Sequence, residues 1–219
     1  MPDASAKPYK GRGMEGFVAT LYARQAEHDR AILQATARRI AGALNAGSRV
    51  LEIAPGPGLL AIELARLTGS KVSGIDISRS FVRIASDNAG KAGVGVDFEQ
   101  GDAADLPFPD DQFDYIVCRA AFKNFSRPLV ALNEMHRVLK SGGTALIIDL
   151  RKDYSARALA DYFRNRGFIS AAMIKLTFRF MLKGRAYTRD SMAELVSQSA
   201  FGHGEFRLDP IGFELTLHK

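Results

Sequence analysis

The sequence predicts an α/β fold: a doubly wound, mainly parallel seven-stranded sheet with helices on both faces and a C-terminal antiparallel hairpin. Three observations predict it. Short apolar runs recur between Arg49 and Leu150, separated by segments whose apolar residues repeat at helical spacing, the pattern of parallel strands joined by right-handed crossovers. The first of these runs ends in the glycine-punctuated turn Pro55-Gly56-Pro57-Gly58 and is followed at once by a helical pattern. Near the C-terminus, two short apolar runs flank Asp209-Pro210-Ile211-Gly212, the signature of an antiparallel hairpin.

Each element follows in order. A short helix is expected over Glu15 to Arg24. A second, over Glu27 to Leu44, carries Ile32, Leu33, Ala37, Ile40, Ala41 and Leu44 at mostly helical spacing. The first strand runs from Arg49 to Ala54, and after the turn a helix from Leu59 to Leu67 turns Leu60, Leu64 and Leu67 to one side. Lys71 to Asp76 is the second strand, Ser78 caps a helix reaching about Ala89, and Val94 to Glu99 is the third strand. The prolines of Leu106-Pro107-Phe108-Pro109-Asp110-Asp111 remove ladder donors, so this stretch is a turn before the fourth strand, Phe113 to Cys118. A helix from about Pro128 to Leu139 stops at Ser141-Gly142-Gly143, ahead of the fifth strand, Thr144 to Leu150. Helices are then expected over Ser155 to Arg166 and Arg189 to Ser199, with an apolar and basic segment from Phe168 to Leu182 between them. Phe206 to Leu208 and Phe213 to Leu217 form the final hairpin.

A chain of 219 residues that is 47% hydrophobic fills one substantial core. The expectation is a single domain over 1–219, with an N-terminal helical cover at 1–45 and a helical insertion at 151–188. The single Cys118 sits in an apolar run, so neither a disulfide framework nor a cysteine metal cluster is built from it. The first residues lack a signal-peptide core, and no apolar run approaches the roughly 20 residues that span a bilayer. A soluble protein of the cytoplasm is expected. The net charge of +6 is local: residues 151–189 hold ten Lys/Arg against two Asp. Such a patch suits a phosphate, a carboxylate-bearing substrate, anionic lipid or RNA, and equally an ordinary solvated helix surface.

The chemistry gathers at the strand ends. Small residues at Ala54, Gly56 and Gly58 let backbone approach a ligand, and the helix amides that begin there, Leu59 included, add donors. Asp76, at the end of the second strand, is placed to accept both hydroxyl hydrogens of a ribose. Together these describe a pocket for a nucleoside-containing ligand.

Five elements in order carry a family resemblance over Arg49 to Leu150: the Glu52-to-Gly58 loop, Asp76, Gly101-Asp102-Ala103, Phe113-Asp114-Tyr115-Ile116-Val117 and Arg137-Val138-Leu139-Lys140-Ser141-Gly142-Gly143. This pattern resembles the class I S-adenosylmethionine-dependent methyltransferases, in particular the group containing the ubiquinone and menaquinone biosynthesis enzymes. The resemblance implies that Glu52 and the Ala54, Gly56, Gly58 loop meet the amino-acid end of S-adenosyl-L-methionine, and Asp76 its ribose. Asp102 and Ala103 then meet its adenine, Ile77 packs on the base, and Arg119 lies near the cofactor carboxylate. Ala54 stands where the usual loop begins with glycine. Lys123 and Asn124 stand where the group often carries paired histidines. A nicotinamide dehydrogenase fits less well, because Gly56-Pro57-Gly58 lacks the spaced third glycine.

The implied function is methyl transfer to a small-molecule acceptor, aromatic or otherwise apolar, needing alignment for in-line displacement and no metal. The four histidines, His28, His136, His203 and His218, show no ligand spacing. Asn124 is placed to orient a polar acceptor. Tyr9, Tyr22, His28 and His203 are candidate bases from the flanking segments, with Tyr22 also implied against the cofactor. The candidate catalytic set is therefore Tyr22, Asn124 and His203. Residues 168–182 read as an acceptor lid, as a homodimer or core face, or as an interfacial helix in peripheral contact with a membrane. A non-catalytic cofactor-binding subunit, a lipid-soluble quinone precursor as acceptor, and RNA as acceptor are the alternatives. No RNA-binding appendage accompanies the charge, so no stable nucleic-acid partner is expected.

Overall fold

The sheet has the order β3-β2-β1-β4-β5-β7-β6. The structure, a computed structural model, describes residues 14–26, 29–155, 157–158, 160–161 and 185–219. Its strands are β1 (Arg49–Ile53), β2 (Lys71–Asp76), β3 (Val96–Gln100), β4 (Phe113–Arg119), β5 (Leu139–Leu150), β6 (Glu205–Leu208) and β7 (Gly212–His218). Its helices include α1 (Gly16–Ala26), α2 (Arg30–Ala41), α3 (Leu59–Thr68), α4 (Arg79–Ala92), α5 (Pro128–Val138) and α6 (Arg189–Ser197), with a 3₁₀ turn at Phe122–Asn124 after β4. Strands β1 to β5 are parallel, whereas β7 runs antiparallel to both β5 and β6. The expected seven strands and closing hairpin are thus present.

Side chains alternate across the sheet and build two cores. Val50, Val72, Tyr115, Val117 and Leu146 pack on one face with Leu33, Ala37 and Ile40 of α2 and Leu60 and Leu64 of α3. Leu51, Ile53, Ile116, Cys118 and Ile147 pack on the other with Leu132 and Met135 of α5 and Met192 and Val196 of α6. The second of the N-terminal helices is therefore a layer of the sandwich, and only α1 reaches the strand ends. Hydrogen bonds at the start of α1 explain why: Ser78 Oγ donates to the Met14 carbonyl at 2.7 Å, and Ser80 Oγ donates to Glu15 at 2.6 Å while accepting from the Gly16 amide at 2.9 Å.

Three boundaries move for physical reasons. Strand β3 starts at Val96 instead of Val94, because Gly93 ends α4 in the left-handed region (φ 66°) and the Val94 amide bonds back to Ala89. Ser141-Gly142-Gly143 is not a loop before β5: Leu139 already pairs with Phe113, the register shifts across the glycines, and the Gly142 amide reaches the Lys219 carbonyl at 2.8 Å. Helix α6 ends at Ser197, two residues early, where the Ser199 hydroxyl donates to Val196 O at 2.7 Å. Residues 162–184 lie outside the described residues, and with them the last five residues of the expected Ser155 to Arg166 helix and all of the Phe168 to Leu182 segment, as do Tyr9 and His28.

Candidate active site

Helices α3 and α4 carry the chain outward from β1 on one face, and α5 joins β4 to β5 on the other. The direction of winding reverses between β1 and β4, and the carboxyl ends of strands at such a reversal leave a crevice. A cavity lined by the last residues of β1, β2 and β4 and by the segments that follow them opens there. Both strands that flank it leave the sheet through alanines in the left-handed region, Ala54 (φ 56°) and Ala120 (φ 58°), and both alanines line the cavity. That conformation costs a non-glycine residue about 1–2 kcal/mol, and such cost collects where a site needs a particular backbone course. It also explains why glycine suits the first position of this loop.

Asp76 is buried at the cavity wall. Its Oδ2 accepts from the Gly56 amide at 3.0 Å and its Oδ1 from the Ser78 amide at 2.9 Å, which fixes the carboxylate while each oxygen keeps a further lone pair. Burial raises its carboxyl above the usual range, against the two amides that lower it. Ser78 supplies the helix cap, its hydroxyl accepting from Phe81 N at 3.1 Å, so Asp76 is not needed for capping. One strand further out, Asp102 lines the same cavity: Oδ1 accepts from Ala104 N at 2.9 Å and Oδ2 from Arg127 Nη2 at 2.6 Å. Ile77, Ala103, Phe81 and Phe125 supply apolar wall, and Arg119 lies at the β4 exit. Tyr22 closes the opposite side, its ring edge-on to Phe81 at 5.7 Å and 3.8 Å from where a Cβ on Gly56 would stand. Asn124 is buried at the β4 side, with Arg185 Nη1 3.5 Å from its Oδ1.

The cavity thus brings together Tyr22, Ala54, Gly56, Asp76, Ile77, Asp102, Ala103, Arg119 and Asn124. Four expected residues lie elsewhere. Glu52 shares the face of Val50 and is buried beneath α3, accepting from the Ala61 amide at 2.8 Å; burial pushes its carboxyl up to about 8, against that amide and Arg119. Gly58 serves packing, since a Cβ there would stand 2.7 Å from Phe98 Cζ and 2.8 Å from Ala85 Cβ. Leu59 turns its side chain away, into a groove shared with Arg30, Leu33 and Asn88. His203 precedes β6, the edge strand farthest from β3; β6 runs parallel to β5, with Glu205 opposite Thr216 and Thr216 opposite Leu146, so the chain enters β6 from the amino-end side of the sheet, away from the cavity.

Sequence reasoning missed the floor of the β4 exit. Lys123 Nζ meets Asp149 Oδ1 at 2.7 Å, with 9% and 2% of the two side chains exposed, and also donates to the Ala120 carbonyl at 2.6 Å. The other Asp149 oxygen accepts from the Lys123 amide at 2.8 Å. The pair clamps the left-handed Ala120 to the end of β5. An acid inside the apolar run Ile147-Ile148-Asp149-Leu150 was the available signal. The Arg137-to-Gly143 motif also proves to be scaffold: Arg137 donates to the carbonyls of Leu106 and Phe108 and pairs with Glu134 and Asp110, and Lys140 pairs with Asp114 at 2.7 Å. Among the described residues no group of three or more His, Cys, Asp or Glu is placed to hold a metal ion, and no helix is long and apolar enough to cross a membrane.

Residues 51–147 match the model of a methyltransferase domain. The chain is 37% identical over 132 residues to a 2-phytyl-1,4-naphtoquinone methyltransferase of Synechococcus elongatus, covering 58% of this chain and 57% of that protein. It is 33% identical over 180 residues to a ubiquinone/menaquinone biosynthesis C-methyltransferase of a Marinomonas species, covering 80% of this chain and 70% of the relative. The chain therefore spans between about half and two thirds of the length of most such relatives. A crystal structure of a SAM-dependent methyltransferase from Aquifex aeolicus shares the fold, with a TM-score of 0.71 at 21% identity over 92% of this chain and 98% of that one. The fold and the site define a class I S-adenosylmethionine-dependent methyltransferase, and the chain belongs to the family of the ubiquinone/menaquinone biosynthesis C-methyltransferases.

Proposed function

We propose that this protein transfers a methyl group from S-adenosylmethionine to a small aromatic acceptor of the quinone type. The observation that carries the proposal is the pair of carboxylates, Asp76 and Asp102, at the ends of adjacent strands on one cavity wall. Two fixed acceptors with apolar surface between them suit a ribose and an adenine, and Arg119 suits the carboxylate of an amino-acid tail, so the donor set fits the cofactor. When bound, S-adenosylmethionine supplies a methyl group already activated on a sulfonium. The names of the relatives, among them a naphthoquinone methyltransferase, support the aromatic acceptor.

In this reading the chain's own task is placement and exclusion of water. Asp76, held by two amides, fixes the ribose hydroxyls. Asp102 and the Ala103 amide fix the base against Ile77. Tyr22 on α1 and Phe125 beyond β4 narrow the mouth, and the Asn124 amide orients a polar group of the acceptor. Of the candidate bases among the described residues, Tyr22 lines this space; His203, at the far edge, takes no part. Residues 151–188 are assigned as the acceptor-side insertion.

The test is methyl transfer from labelled S-adenosylmethionine to a panel of naphthoquinols and benzoquinols with and without prenyl tails, beside RNA and a protein mixture. Label in a quinol product, with stoichiometric S-adenosylhomocysteine, is expected. Tight cofactor binding with no transfer to any acceptor would instead indicate a non-catalytic subunit.

A further inference from the structure

We infer that Arg127 is a positioning residue that makes Asp102 select a base bearing an amino group. The inference rests on the cofactor reading above. Asp102 lines the cavity beside Gly101, Ala103 and Ile77, and its two oxygens are held from different directions: the Ala104 amide takes Oδ1 at 2.9 Å and Arg127 Nη2 takes Oδ2 at 2.6 Å. The first bond belongs to the turn that Asp102 and Asp105 close, with the Asp105 amide on the Asp102 carbonyl at 3.0 Å. The second comes from the residue that precedes α5, a helix opened by Pro128. Of the two bonds, that from Arg127 ties the carboxylate to the segment after β4, two residues beyond Phe125, which lines the same cavity.

The chemistry of the pair dictates what Asp102 asks of a ligand. A guanidinium does not give up its proton in a protein, and an ionised carboxylate accepts without donating. Held against Arg127, Asp102 presents fixed acceptors to the base. An exocyclic amino group satisfies them, whereas a ring carbonyl at the same position sets acceptor against acceptor. A site built to receive a donor rejects the analogue lacking it more strongly than an apolar pocket rejects a change of size. Arg127 Nε and the neighbouring Ser126 Oγ are buried without a hydrogen-bond partner among the described residues. The arginine is therefore not fully satisfied by the scaffold, and the side-chain ion pair it makes among the described residues is the single one to Asp102 Oδ2.

The experiment measures the affinities of S-adenosylhomocysteine and its inosine counterpart, which carries a carbonyl in place of the amino group, for wild type, Arg127→Met and Arg127→Lys. Wild type is expected to prefer the adenine compound by about tenfold or more. In Arg127→Met that preference falls several-fold, while Arg127→Lys, which keeps the cation but loses the planar fork, lies between. A purely structural role would weaken both ligands alike, so an unchanged ratio in either folded variant overturns the inference. Failure of wild type to bind either compound would refute the cofactor reading itself, a separate outcome.

Discussion

Replacing Glu52 with Gln removes a buried carboxyl whose protonation is tied to folding. Burial beneath α3 raises it from the ordinary 4.5 to about 8, with Asp76 adding to the rise and the Ala61 amide and Arg119 opposing it. The folded protein thus holds the proton more tightly than the unfolded chain. The stability associated with Glu52 is fully present below pH 4.5, where both states are protonated, and is lost as pH climbs from 4.5 through 8, where only the unfolded chain ionises. At 1.36 kcal/mol for each pH unit between the two values, the loss reaches about 5 kcal/mol, a large share of the 5–15 kcal/mol typical of a domain. Gln still accepts from the Ala61 amide and carries no charge. The stability of Glu52→Gln relative to wild type should therefore rise steadily from pH 4.5 to 8 and level off above it, the other titrating groups cancelling in the difference. Urea unfolding followed by far-ultraviolet circular dichroism suits a chain without tryptophan. A difference that stays flat within about 1 kcal/mol across this range would refute the reasoning, and would mean that Arg119 and the amide keep Glu52 ionised.

Other consequences follow from the same geometry. Lys123→Met strands the Asp149 charge and should cost about 3–5 kcal/mol, seen as a melting temperature lower by roughly 6–20 °C, with Lys123→Met/Asp149→Asn regaining part of it; a melt within 2 °C of wild type would show the pair is solvated. Gly58→Ala must place a Cβ against Phe98 and Ala85 at φ 77°, so a loss of about 2–4 kcal/mol is expected in chemical unfolding, and retained stability would count against the packing role given to this glycine. Asp76→Ala removes a charged acceptor for the ribose and should weaken S-adenosylhomocysteine by about tenfold or more in calorimetry, while the folded variant keeps wild-type circular dichroism. Unchanged affinity would remove Asp76 from the site.

The alternation of strands and helices was legible because two periodicities, two and near four residues, are written directly in the apolar positions from Val50 to Leu150. So was the closing hairpin, since Asp209-Pro210-Ile211-Gly212 admits little but a turn. That Asp76, Asp102, Ala54 and Gly56 would share one cavity was legible because position at a strand end fixes where a residue lies in a wound sheet. Glu52 and Gly58 sit in the same motif, but Glu52 faces α3 and Gly58 packs on Phe98 and Ala85, which depends on the parity of residues along β1 and on the approach of Phe98, a contact between distant segments. His203 lies away from the cavity for a related reason: which end of the sheet a loop reaches depends on the direction of the strand it enters, here β6, and sequence distance carries no trace of it. The Lys123–Asp149 clamp needed the register of β4 against β5 before its two charges met.

The central claim is a nucleoside-linked amino-acid cofactor at the β1/β4 crevice. Calorimetric titration of cofactor-stripped protein with S-adenosylmethionine and S-adenosylhomocysteine, with NADH as control, tests it most directly. The account predicts saturable binding of the first two with one site per chain and none of NADH; NADH binding with no response to either sulfur compound would contradict it.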